Sequence, residues 1–418
     1  MIKRSSAPAA ILALSSSLFV ASCSGTGSTV ATGGVALVSG LIREPAVEQF
    51  PIPELPTGDW PRTDGPSVPV KTTQTGPEPV TPGDAPAPAK LNLYSETTAG
   101  KLSRSVADIP TRVYVPNSED DTVSVIDPAT MRVIEKIRTD QTPHHVTPSW
   151  DMQTLYVLNT VGDTITPIDP RSGKARKPIP VADPYNLYFT PDGNTAIVVA
   201  ERYQRLDLRD PKTWELRGSI SIPHPGVDHA DFSPNGRYLY ASCEFSGWVV
   251  KVDLIDQRIV AERQIGSQPI DVKMAPDASV VYIADQGRGG VIVADPNNLH
   301  EIAFIPTGRG AHGLYPSRDT TKMYVSNRLG GSVSVIDFAT NKVEATWTIP
   351  GGGSPDMGGV SADGSQLWLS GRFHGEVYVF DTRTGEVRNR IRTAVGAHGL
   401  SLFPQPGRFS LGHTGAYR

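Results

Sequence analysis

An apolar strand, a turn and a second strand closing on Asp return seven times along this chain of 418 residues. The first copy reads Tyr114-Val115-Pro116-Asn117 and then Ile126-Asp127. The others centre on Tyr156 and Asp169, Ile197 and Asp207, Tyr240 and Asp253, Tyr282 and Asp295, Tyr324 and Asp337, and Trp368 and Asp381. Copies lie 41–44 residues apart, the period of one four-stranded propeller blade. The spacing predicts an all-β fold: a seven-bladed β-propeller of four-stranded antiparallel blades over residues 112–408.

Each unit reads as an inner, a second, a third and an outer strand. The turn between the first two carries hairpin residues: Pro191-Asp192-Gly193, Pro234-Asn235-Gly236, Pro276-Asp277 and Asp363-Gly364, which tolerate or stabilise tight turns. The recurrent Asp is a turn residue that accepts backbone hydrogen bonds, and its presence in every copy argues against catalysis. The first clear unit starts with a second strand at Arg112, whereas the last inner strand, Ala397 to Leu402, has no complete set after it. The C-terminal strand therefore completes the first blade and closes the ring. Phe409-Ser410-Leu411 stands where another second strand would begin, but residues 409–418 cannot supply an eighth blade and read as a tail.

Composition narrows the partners. Abundant Gly (40) and Pro (37) suit short strands and turns. A formal charge of −4 gives no basic footprint, so nucleic acid is not expected. No apolar run is long enough for a membrane span. The two cysteines, Cys23 and Cys243, leave no disulfide framework, and a monomer is expected.

The beginning of the chain reads as an address. Lys3 and Arg4 precede an apolar stretch from Ala9 to Ala21, the layout of a secretory signal over residues 1–22. Its end, Val20-Ala21-Ser22-Cys23, resembles a bacterial lipobox. That resemblance implies cleavage before Cys23, lipidation of its thiol, and a membrane anchor on the extracytoplasmic face. Residues 23–90 are rich in Gly, Ser and Thr and then in Pro, the composition of a disordered, semi-extended tether. Residues 91–111 form a lead-in that either packs on the propeller or simply approaches it.

The phrases Tyr-Val-Pro-Asn…Val-Ile-Asp-Pro and Tyr-Val-Ser-Asn…Val-Ile-Asp-Phe resemble the YVTN β-propeller repeat family, which includes YncE-like secreted proteins and surface-layer proteins. The resemblance covers residues 112–408. It implies the fold, together with a relation in fold to the haem d1 domain of nitrite reductases; the family is functionally mixed.

Function has to be sought where the repeat fails to repeat. Aligning the inner strands brings His145, Asn186, His229, Asp271, His312, Met357 and His398 to one level, preceded by His144, Tyr185, Asp228, Ile270, Ala311, Asp356 and Ala397. Residues leaving the second strands share that mouth, among them Glu201, Arg202, Glu244, Gln286, Arg328 and Arg372, and Arg309 flanks His312. These residues vary in type and are polar, as an asymmetric ligand site requires. Neutral imidazole suits a divalent metal, for which His145, His312 and His398 are the candidates; they come from separated blades, so a site would use neighbours, His398 with His145 or His312 with Met357. A small polar or anionic ligand and purely structural roles are the alternatives. His413, in Gly412-His413-Thr414-Gly415, falls near the opposite face or outside it. Cys243 is not expected to act as a nucleophile.

Three functions remain open. The leading one is an anchored binding or scaffold module that engages a ligand, glycan or envelope protein at the channel mouth. The second is a metal-dependent exported enzyme such as a lactonase-like hydrolase. The third is a haem d1-like redox protein, for which no Cys-x-x-Cys-His attachment motif is present.

Overall fold

Strands that are apolar on both faces cannot rest at a surface, and here each is covered from both sides by a neighbouring blade. The computed structural model describes residues 91–413 and 416–418. The signal segment, Cys23 and the tether lie outside the described residues. Among the described residues no helix is long and apolar enough to cross a membrane.

The chain forms seven four-stranded antiparallel sheets arranged as propeller blades. The first comprises Ser401–Phe403, Arg112–Asn117, Thr122–Asp127 and Arg132–Arg138. The remaining six follow in chain order from the inner strands Pro143–Pro148, Asn186–Phe189, Val227–Phe232, Pro269–Met274, Ala311–Pro316 and Pro355–Val360. Closure is as the strand order predicts: Val113 pairs with Leu402 across the junction of the two ends.

One apolar cluster fills each interface between neighbouring blades. Tyr114 and Val125 face the second blade, while Val113, Val115 and Ile126 pack with Trp368 and Val377 of the seventh. Adjacent residues on one strand thus serve opposite interfaces. Burying each such side chain stabilises the ring by about 1.5–3 kcal/mol. Outer strands alternate instead, as in Arg258–Gln264, because one of their faces meets solvent.

The repeated polar residues hold turns. Asn117 donates to Thr122 and Ser124, Asn159 to Thr164 and Thr166, and Asn327 to Ser332 and Ser334, tying the second strand to the third in the first, second and sixth blades. Asp127, Asp169, Asp253, Asp295, Asp337 and Asp381 accept amides two or three residues ahead. The third blade corrects the sequence reading. Its turn residue is Asp210, which accepts from Lys212 and Thr213, whereas Asp207 lies buried within the strand, paired with Arg205 and Arg209. The two Asp are three residues apart, and only the later one follows the strand end at Arg209.

The lower face, where inner strands end, is covered by both ends of the folded region. The lead-in bonds there through Leu93 N–H to Pro276 O and Tyr94 Oη to Met274 O, and it buries Val106 and Ile109 against the first two blades. The segment read as a tail folds back into the channel instead, as its described residues 409–413 and 416–418 show. Ser410 bridges to Tyr417, Leu411 N–H donates to Ala416 O at 2.7 Å, and Gly412 bridges to Tyr188 of the third inner strand. This hairpin brings His413 up beside Leu187, whose carbonyl accepts the His413 amide at 2.9 Å.

Candidate metal centre

Strict alternation would let only every second residue of an inner strand face the channel. Five inner strands break that rule with one extra residue, at Pro143/His145, Val227/Ala230, Pro269/Val272, Ala311/Leu314 and Pro355/Gly358. Such bulges re-aim side chains next to functional sites. Here they turn consecutive polar residues toward the hub. The rings of His144 and His145 stack at 5.3 Å, and Asp228 Oδ1 lies 2.5 Å from Nδ1 of its neighbour His229.

Six of the nine histidines gather at the centre. The His145 ring centroid lies 4.9 Å from that of His398, 5.1 Å from His413 and 5.4 Å from His229. His144 is 4.3 Å from His398, and His229 is 4.6 Å from His413. Their nitrogens form two groups with donor atoms within 4.8 Å of one another: His144, His145 and His398 at the mouth, and His145, His229 and His413 deeper in. His145 belongs to both.

The outer partners of these rings resemble a ligand set. His398 Nδ1 meets Asp356 Oδ2 at 2.5 Å, leaving Nε2 buried without a hydrogen-bond partner. His229 Nδ1 contacts Asp228 as an ion pair without hydrogen-bond alignment, and its Nε2 is likewise unpartnered. His413 Nδ1 lies 3.1 Å from Asn186 Oδ1. Neither nitrogen of fully buried His145 has a partner. A carboxylate or amide oxygen on one imidazole nitrogen with the other aimed inward is how metal-binding histidines are oriented. Leaving so many buried polar atoms unpaired would otherwise cost about 1–3 kcal/mol each.

Electrostatics keep most of this cluster in the ligating form. Burial holds His145, His312 and His413 well below the ordinary imidazole range. At the mouth, burial does the same for His144 and His398, reinforced by neighbouring histidines and by Arg372 and Arg328. His229 differs: burial lowers it, but Asp228 and then Asp271 outweigh that and raise it. Burial also raises Tyr185, with the charges of Asp228, Glu201 and Glu244 adding to it.

The other residues singled out in the sequence divide by employment. His312 does not join either group of three: its Nδ1 lies 3.1 Å from Met357 Sδ and 3.2 Å from Asp356 Oδ1. His312 thus sits with Met357 of the adjacent blade, while His145 and His398 stand together at the mouth. Asp271 accepts the amides of Val272 and, across the blade interface, Leu314 at 2.8 Å. Asn186 props His413. Arg328 reaches Gln286 and Asp356, and Arg372 reaches Ser118 and Gly396 O. Glu201 and Glu244 are half-buried at the rim, and Arg309 is exposed. Arg202 binds Asp183 and Asp163. Cys243 is buried, chiefly the reason its thiol is pushed far up. His413 is the residue misplaced by sequence: the tail enters from the opposite face but carries it to the hub. Its only sequence signal was the apolar spacing of Leu411, Ala416 and Tyr417 around Gly412.

Fold and hub together define a seven-bladed propeller with a histidine-lined channel. Residues 87–406 match the family described as YNCE-like beta-propeller, and the chain belongs to that family. A relative, YncE of Salmonella typhi, is 24% identical over 263 residues, covering 59% of this chain and 73% of the relative. Among solved structures, dihydro-heme d1 dehydrogenase NirN in complex with DHE superposes with a TM-score of 0.56 at 17% identity, covering 71% of this chain and 75% of that one. Kuenenia stuttgartiensis hydrazine synthase gives 0.54 at 20% identity, covering 70% and 98%. At these identities the two structures share the fold.

Proposed function

We propose that this chain is a lipid-anchored extracytoplasmic propeller whose hub captures a divalent transition-metal ion, with His144, His145 and His398 as ligands at the mouth. The observation that carries the reading is the mouth group itself: three imidazoles whose nitrogens converge within 4.8 Å while His144 Nδ1, both His145 nitrogens and His398 Nε2 lack hydrogen-bond partners. An all-imidazole set suits zinc, copper, nickel or iron rather than calcium or magnesium. Nitrogens on a tetrahedral zinc stand roughly 3.3 Å apart, so the rings swing inward on loading.

Three protein ligands leave a position open. Arg328, whose buried Nε is unpartnered, and Arg372 lie beside it, which favours an anionic co-ligand on the ion. Exposed apolar side chains on the surrounding loops, Val161, Phe245, Leu329 and Phe373, suit an envelope protein docking over the mouth. Export and anchoring rest on the sequence of residues 1–22 and Cys23.

The test is metal retention. The purified full chain, stripped with chelator and titrated with Zn²⁺ and Co²⁺, is expected to keep at least one ion through gel filtration, with Co²⁺ giving the visible bands of nitrogen coordination. His398→Ala weakens binding at the mouth by at least about tenfold. A stripped chain that retains neither ion would overturn the reading.

A further inference from the structure

We propose that the hub holds a second metal position, built by His145, His229 and His413, and that filling it fastens the C-terminal hairpin inside the channel. This extends the reading of a metal-binding hub, but the deep position can fill whether or not the mouth does.

The deep group stands on its own geometry. Its three donor atoms lie within 4.8 Å of one another, and all three residues are fully buried. Two strands and the hairpin contribute one ligand each: Pro143–Pro148 gives His145, Val227–Phe232 gives His229, and the returning chain gives His413. Each of the latter two is oriented from behind. Asp228 contacts His229 Nδ1 at 2.5 Å, so the unpartnered Nε2 is the inward atom. Asn186 Oδ1 accepts the Leu187 amide at 3.0 Å and lies 3.1 Å from His413 Nδ1. An acceptor oxygen there requires Nδ1 to carry the proton, which fixes the tautomer with the lone pair on Nε2.

His145 is different. No hydrogen bond orients it from behind, and both its nitrogens are buried and unpartnered. A ring placed between two groups of imidazoles with both nitrogens uncommitted is suited to serve both. With both positions filled, the His145 ring gives one nitrogen to each ion, and its ring proton leaves to solvent.

The consequence for the hairpin follows from linkage. His413 is the only ligand of the deep group outside the blades. The hairpin is already docked by the His413 amide on Leu187 O and by Arg418 on Asp231 at 2.9 Å. An ion that binds only the docked form multiplies that docking by about 100-fold at an ion concentration one hundred times its Kd.

The experiment counts ions on the full chain and follows exchange of the amides of Leu411 and His413. Loaded with Zn²⁺, the unmodified chain is expected to hold two ions, His398→Ala one, His413→Ala one and His145→Ala none. Amide exchange of Leu411 and His413 should slow by about 100-fold on loading with excess Zn²⁺. A single ion that survives His413→Ala but not His398→Ala overturns the deep position and leaves the mouth reading intact. The reverse pattern removes the mouth position and keeps this one. If His413→Ala does not fold, His229→Asn is counted instead, and unchanged exchange in the loaded, unmodified chain defeats the proposal.

Discussion

The two halves of the hub use the same strand positions in opposite ways. In blades five and six the polar residues are consumed by structure: Asp271 holds the Leu314 amide, Tyr315 Oη takes the Gly358 amide at 2.8 Å, and His312 rests on Asp356 and Met357. On the other side His145, His229 and His398 keep nitrogens with no hydrogen-bond partner. Equivalent positions around a pseudo-symmetric ring therefore say where a side chain sits, and its partners decide whether it holds the ring or offers itself to a ligand. The lower face reinforces this, since the hairpin adds a fifth imidazole, His413, to the open half.

The comparison breaks most visibly under acid. Five hub histidines, 144, 145, 312, 398 and 413, are held below their ordinary range chiefly by burial. Below about pH 6.5 the unfolded chain takes up protons that the folded hub refuses, so stability falls as pH falls. His229 acts in the other direction, its raised value adding stability that is lost as pH rises through it. Five outweigh one, and the thermal midpoint of the ion-free chain should drop steadily between pH 7 and pH 5. A flat profile would contradict the burial of the cluster.

Next in size is Asp271→Ala. It strands the Leu314 and Val272 amides, so urea unfolding should report a loss of about 3 kcal/mol. The folded fraction should keep its Zn²⁺ stoichiometry, which places Asp271 with structure. A loss of ions without a loss of stability would move it across to the ligand side.

A finer cut is Gly399→Ala. A Cβ at Gly399 would collide with the His145 ring, whereas Gly359 has open space around its own. Zn²⁺ affinity should fall by about tenfold for Gly399→Ala, within the range for disturbed ligand orientation. Gly359→Ala serves as the control and should leave affinity alone. Equal effects would mean that His145 is not the shared ligand.

The smallest effect belongs to His312→Ala. Removing its contacts to Asp356 and Met357 should cost about 1 kcal/mol in stability. Calorimetry should find Zn²⁺ affinity unchanged within about twofold. A larger drop would restore His312 to the ligand set and blur the division between the halves.

The blade count, the strand order and the closing strand were legible because each depends on local chemistry repeated at a fixed interval: apolar runs and turn residues. Asp207 misled because an Asp within a strand and an Asp just beyond it look alike in sequence, and only the pairing of Arg205–Arg209 separates them. The level of the inner-strand residues was legible for the same reason as the blades. Their directions were not, because a one-residue bulge in five strands changes which side chains reach the channel without changing the spacing that defines the repeat.

By itself the sequence determined the ring, because a repeat of this length can bury its two apolar faces only against copies of itself. It also determined that polar, non-repeating residues collect at one mouth. Tertiary structure decided which of them remain uncommitted, and it brought His413 in from the far side of the fold. Both outcomes depend on contacts between residues far apart in sequence, such as Asp356 with His398 and Asn186 with His413, which no local pattern encodes.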